Sequence, residues 1–339
     1  MVESALVATL IPPRRRGRRV GRLLGTRVAA AVPLLLIVSL ALFVLADLSP
    51  FDPLATYLGA NYQSATQAQR EAARAAYGVD ATWWSAWWHW VSGLPVGDLG
   101  WSTTQRRPVV DVLASGLPFT LGLSAAALIL ATVLALVLGG VAGMRRGSPL
   151  DRALSGLATA LAATPPFVTS LVLVAVFAVA LRALPTSGAR APGDPYTLSG
   201  ILAHAALPLI TLTLSQVPWL LLAMRSAVVD AAESDAVRGA RSRGISGTGL
   251  LRGHIAPVAV LPTLALLGTR LPEVIAGAAV VEVVFDWPGV AATLVDSAMA
   301  LDFPLFAALS LLSAAAVLLG SALSDAAAIW LDPRIEMAG

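Results

Sequence analysis

Six stretches of this chain are too long and too apolar to be the inside of a soluble domain, and they leave little choice of fold. They run approximately over Arg27–Leu48, Leu117–Met144, Leu154–Leu181, Ile201–Met224, Pro257–Phe285 and Pro304–Leu331. A bilayer core takes about 20 apolar helical residues to cross. Within it each backbone N–H and C=O must find its partner inside the segment, so such runs cross as α-helices. Only 13% of the 339 residues are charged, against about 25% in soluble domains, and the mean hydropathy is +0.77. The sequence therefore predicts an all-α integral membrane protein with about six transmembrane helices.

The arginines orient these helices. All 23 basic residues are arginine. Seven precede or open the first span, from Arg14 to Arg27. Arg145, Arg146 and Arg152 lie between spans two and three. Arg225, Arg238, Arg241, Arg243 and Arg252 lie between spans four and five, and Arg334 follows span six. The other side holds Arg70, Arg74, Arg106, Arg107, Arg182 and Arg190. Basic residues favour the cytoplasmic loops, so both termini are expected inside the cell. The same partition accounts for the pI near 9.9 without a nucleic-acid partner; membrane lipid is the expected surroundings. The resulting organisation is a basic cytoplasmic tail (1–26), a first span (27–48), an extracytoplasmic segment (49–116), a five-helix core (117–331) and a cytoplasmic end (332–339). The basic-then-apolar start reads as a retained span, because its apolar run is long for a cleaved signal.

Much chemistry is excluded. The chain has no cysteine, which removes disulfides and thiolate ligands. His89, His204 and His254 are too scattered to hold a metal. Neither H-E-x-x-H nor G-x-S-x-G occurs, and without lysine there can be no Walker A phosphate loop. The expectation is no catalytic residue, no metal and no cofactor on this chain.

Several places break the apolar pattern. The basic run "DAVRGARSRGIS" at 235–246 lies in the longest cytoplasmic loop between spans, 225–256. It predicts a short helix with Ala236, Val237 and Ala240 on one side and Arg238 and Arg241 on another, stopped at Gly244. Such a helix can lie in a groove of another protein or on anionic lipid. Inside span five, Arg270 and Glu273 are spaced to meet on one helix face. A charge at mid-membrane costs about 2.5–3.5 kcal/mol on insertion scales, so the pair either lines a substrate pathway or gate, or packs an interface. Gln216 in span four is a further pathway candidate, or a bond to a neighbouring helix. The tryptophans of "WWSAWWHW" at 83–90 suit a helix at the lipid interface or a docking face for an extracytoplasmic partner. Pro165-Pro166 should bend span three. Glu282 and Asp325, near membrane ends, read as solvated.

The loop also carries a resemblance. "MRSAVVDAAESDAVRGARSRGISGTGLLRGHIAPVAVLP" is similar to the cytoplasmic EAA loop of binding-protein-dependent ABC importer permeases, with Arg238-Gly239-Ala240, Gly244 and Leu261-Pro262 at its marked positions. "GRLLGTRVAAAVPLLLIVSLALFVLADLSPFDP", "RRPVVDVLASGLPFTLGL", "VVEVVFDWPGVAATLVDSAMALDFPLF" and "SDAAAIWLDPRI" resemble, in order, the B-type subunit of dipeptide and oligopeptide permeases. The chain departs from the family at Pro50-Phe51-Asp52-Pro53, at Arg238-Gly239-Ala240, and at Arg270 and Glu273. The resemblance implies type I ABC importer permease architecture. It also implies a second homologous permease, two ATP-binding subunits (or one fused) carrying ATP and Mg, and an extracytoplasmic binding protein. It casts Ala236, Val237, Arg238, Gly239, Ala240, Arg241, Arg243 and Gly244 as the ATPase-coupling elbow. Relatives of this type move dipeptides, oligopeptides, nickel complexes or haem. An ion-gradient-driven secondary transporter is the rival reading, but no inverted repeat is visible.

Overall fold

A computed structural model describes residues 13–48, 58, 62–77 and 82–331. The first twelve residues of the basic tail, the Pro50-Phe51-Asp52-Pro53 turn and the 332–339 end lie outside the described residues. The elements are α1 (Pro13–Asp47), α2 (Gln67–Tyr77), α3 (Trp83–Gly93), a two-stranded hairpin β1 (Trp101–Ser102) and β2 (Arg107–Pro108), α4 (Val109–Met144), α5 (Pro149–Ala162) and α6 (Pro166–Ala180). Then come α7 (Leu198–Glu233), α8 (Asp235–Ser242), α9 (Gly247–Leu250), α10 (Ala256–Phe285), α11 (Val290–Met299) and α12 (Phe303–Leu331).

Among the described residues five helices are long and apolar enough to cross a membrane, or up to seven if each of two bent helix pairs counts as one span. The expected six falls inside that range. Two details differ from expectation. The third span is broken rather than bent, with α5 and α6 meeting at 106°. The residue before a proline is pushed out of the helical region, and in Thr164-Pro165-Pro166 this happens twice running. Pro165 sits extended at ψ 141° and Pro166 opens the new helix. The fourth span does not stop at Met224; α7 runs on to Glu233, through internal Pro208 and Pro218.

The chain divides into two compact units. The first holds residues 1–28, 121–287 and 317–339. Its centre is α7, packed on α4 with almost nothing between them. A Cβ on Gly139 would lie 2.6 Å from the Leu221 carbonyl oxygen, and one on Gly143 would lie 2.7 Å from the Val228 Cβ. Small residues four apart allow this approach between membrane helices. Ala131, Ala135, Ala158, Leu220 and Leu221 complete the buried cluster around it. One acidic expectation is corrected in this unit: Glu282 is fully buried rather than solvated. The Asp325 side chain stays solvent-exposed, in a surface pair with Arg27.

The second unit holds residues 29–120 and 288–316. Its core joins Trp90, Val109, Val112, Val290, Leu305 and Leu309, with Leu42 and Phe43 of α1 packed against them. The N-terminus of α11 begins after Gly289, which has no side chain to cap it. Thr120 of α4 supplies the acceptor, taking the Val290 N–H at 2.9 Å. Buried Asp302, between α11 and α12, accepts from Ser102 Oγ at 2.6 Å, Thr104 Oγ1 at 2.7 Å and the Thr104 N–H at 3.0 Å. That carboxylate holds the β1–β2 hairpin, whose register pairs Trp101 with Pro108 and Ser102 with Arg107.

Candidate coupling elbow and intramembrane polar cluster

The basic loop of the sequence is an ordered elbow. Ser234 ends α7 in extended conformation, and its hydroxyl caps α8 by accepting from the Val237 N–H at 3.4 Å. Eight residues later α8 stops as its sequence dictates. Gly244 adopts φ +81°, a conformation glycine reaches without steric cost. The Gly244 N–H donates to Arg241 O at 2.9 Å, and the Ile245 N–H donates to Ala240 O at 3.1 Å. This crossed pair is a Schellman ending, whose usual companion is an apolar contact from the second residue beyond the helix. Ile245 makes it, packing on the cluster that includes Ala240.

One expectation about this helix is overturned. Val237 and Ala240 are 0% exposed, packed against Met224, Val228, Leu250, Ile255 and Ala259 of the same chain. They cannot seat against a partner as the sequence suggested; they hold the elbow onto α7 and the start of α10. Ala236, assigned to the same stripe, is exposed, as are Arg238, Arg241, Arg243 and Gly244, while Gly239 is half-buried. Arg238 pairs with Asp235 one turn away. The outward surface is thus a row of arginines around small residues.

A brace beneath the elbow escaped the sequence reading. Asp151, 2% exposed, takes both Nε and Nη2 of Arg225, the latter at 2.8 Å. It also accepts the Gly147 N–H at 2.8 Å and the Ser155 hydroxyl at 3.3 Å. Two parallel bonds from one guanidinium are the strong form of this pairing. The signal was present: Ser148-Pro149-Leu150-Asp151 is a helix start with a capping serine and a proline in the first turn, and Ser148 Oγ does accept the Asp151 N–H, at 3.2 Å. Arg146 and Glu233 form a second, exposed pair beside it.

Within the membrane-spanning part, Arg270 pairs with Glu273, as the spacing implied. The Arg270 guanidinium also lies over the Trp219 ring, 4.9 Å from its centroid, a cation–π arrangement that the sequence did not suggest. Gln216 is 4% exposed, and its Nε2 donates to Ser215 Oγ at 3.2 Å. Its Oε1 is buried without a hydrogen-bond partner among the described residues, as are Thr211 Oγ1, Thr213 Oγ1 and Arg270 Nε. Buried polar atoms of this kind are costly in a low-dielectric surrounding.

Residues 135–337, which contain the elbow, its brace and these polar groups, match the family model described as the binding-protein-dependent transport system inner membrane component. The chain belongs to this family. It is an ABC importer permease and a multi-pass protein of the inner membrane. It is 31% identical over 312 residues to a protein of Brucella suis biovar 1 named as a peptide permease, covering 92% of this chain and 98% of that one. It is 29% identical over 311 residues to the oligopeptide transport system permease protein AppB of Bacillus subtilis, covering 91% and 98%. The glutathione transport system permease protein GsiC of Escherichia coli K12 is 30% identical over 310 residues, covering 91% and 97%. An amino acid ABC transporter solved with histidines aligns at TM-score 0.49 and 18% identity, over 63% of this permease and 92% of that chain.

Proposed function

We propose that this permease carries peptides inward as half of a translocation pathway. A second homologous permease would supply the other half. Two ATP-binding subunits (or one fused) would hold ATP and Mg, and an extracytoplasmic binding protein would deliver the substrate. The peptide reading rests on the relatives' names, which specify peptides, oligopeptides and a tripeptide. The lysine-free sequence leaves ATP binding through a Walker A loop to other chains.

The observation that carries the coupling reading is the elbow's two-sidedness. Val237 and Ala240 fix it to the permease, and Arg238, Arg241 and Arg243 face outward. A docked ATPase that closes on ATP would push α8, and α8 would pass the push to α7 and α10. In this proposal Ala236, Gly239 and Gly244 keep the docking surface low enough for close approach. Arg270 and Glu273 are proposed to meet the substrate's charged ends on the pathway; Gln216, buried within its own chain, is not proposed to touch it. The test is Ala236→Trp in the assembled importer. Hydrolysis should continue while peptide uptake falls several-fold, with membrane abundance unchanged. Uptake still tied to hydrolysis as in the parent would remove the elbow from the mechanism. Competition of uptake by di- and tripeptides, set against nickel complexes and haem, tests the substrate class independently.

A further inference from the structure

Helix α3 has three sides, and the coupling mechanism uses none of them. One side faces the chain: Trp90 is buried, with its indole N–H donated to Leu99 O at 3.1 Å and its ring 5.7 Å from that of Phe43. On the same side the Trp87 indole N–H donates to Ser39 Oγ at 3.0 Å. Trp83, Ala86 and Val91 are half-buried, and the exposed remainder is not uniform. Trp84 and Trp88, at 59% and 65% exposure, are four residues apart and so lie within roughly 40° of each other around the axis. Ser85, His89 and Ser92, also exposed, occupy the next sector, roughly 80–140° from Trp84. An exposed surface divided lengthwise into an indole strip and a hydroxyl-imidazole strip suits a helix lying in the plane of a lipid–water boundary.

The partners of α3 on α1 set its depth independently. The outer end of the first span is Asp47. Ser39 is eight residues before it and Phe43 four, or about 12 Å and about 6 Å below that end at 1.5 Å per residue. The apolar window of the first span is only 6% buried within the chain, and Ile37 and Leu45 beside these contacts are largely exposed, as lipid-facing residues are. A helix fastened to that stretch by Trp87 and Trp90 lies in the outer leaflet, below the aqueous phase.

We propose that α3 is an interfacial anchor that binds the phospholipid of the outer leaflet. Trp84 and Trp88 enter the upper acyl region, where amphipathic indoles concentrate, and Ser85, His89 and Ser92 meet the headgroups. The anchor holds the extracytoplasmic segment at a fixed height, because Trp90 is bonded directly to the backbone leading into the hairpin.

The chain has no cysteine, so single nitroxide labels can be placed unambiguously. Trp84→Cys, Trp88→Cys and His89→Cys permeases, spin-labelled in the assembled importer in phospholipid nanodiscs, would be probed by collision with oxygen and with a water-soluble nickel chelate. The oxygen-to-nickel ratio at 84 and 88 should exceed that at 89 several-fold and stay unchanged when binding protein is added. Three results would overturn the anchor: equal ratios at all three positions, shielding of 84 and 88 on adding binding protein, or exclusion of both probes, which signifies a protein interface. If a labelled variant fails to assemble, the unlabelled permease serves. Brominated phospholipid should quench its tryptophan fluorescence, and the quenched fraction should shrink in Trp84→Phe/Trp88→Phe. A quenched fraction indifferent to that double change refutes the proposal equally.

Discussion

Two alanines four residues apart in α8 differ in exposure, and bulk at each should fail differently. Ala240 is fully enclosed by its own chain, so Ala240→Trp forces a large ring into a packed site, where overpacking alone costs about 1–3 kcal/mol or more. The expected outcome is loss of folded permease, read as membrane abundance and as a lower unfolding temperature in detergent. Ala236→Trp should leave both unchanged and act on coupling alone. Asp151 offers a sharper case. Asp151→Asn keeps the size but removes the charge that Arg225 faces and weakens both bonds to it, so the unfolding temperature should fall. Arg225→Lys should do nearly as badly, since an ammonium cannot make two parallel bonds. The combined Asp151→Ala/Arg225→Ala variant should lose less stability than the two single changes added together, as measured by thermal unfolding. In the membrane, Glu273→Gln should lower uptake more than abundance; the reverse would assign the pair with Arg270 to packing.

At the scale of elements, the helices were legible and their ends were not. Hydropathy locates α1, α4, α7, α10 and α12 because a bilayer demands long apolar runs wherever the chain crosses. It cannot show that α7 continues to Glu233, since the last turns are polar and are held helical by packing at Val228 and Ala231. Nor does a proline carry the same meaning everywhere. Pro208 and Pro218 are absorbed inside α7, whereas adjacent Pro165 and Pro166 end one helix and begin another. The elbow's two faces were only half legible for a related reason. Spacing groups Ala236 with Val237 and Ala240, but only Val237 and Ala240 meet neighbours from α7, α9 and α10, and Ala236 in the first turn is left exposed. The α4–α7 contact was missed altogether, although Gly139 and Gly143 have the spacing that permits it. With a Cβ at 143 only 2.8 Å from the Arg225 carbonyl oxygen, Gly143→Ala should move the helices apart and lower the unfolding temperature. Exposed Gly156, with nothing within 4 Å of its Cβ position, is the matching control and should tolerate alanine.

For the molecule as a whole, the arginine partition makes a prediction free of any assumption about transport. Single cysteines at Arg106 and at Arg241 should react with a membrane-impermeant maleimide from opposite sides, position 106 in intact cells and position 241 only in inverted vesicles. Labelling of both from one side would reverse the topology and place the elbow beyond the reach of a cytoplasmic ATPase. The family itself was legible from the order of several weak motifs, because each marks a turn, cap or loop that the architecture reuses. The substrate was not legible, since the polar groups at 211, 213, 216 and 270 say only that something polar can be met there. Where two backbones touch, no layer of flexible side chains remains to yield under load. A displacement applied at the cytoplasmic end of α7 therefore cannot be taken up by compression against α4. The two must travel together, as one stiff rod rather than two cushioned ones.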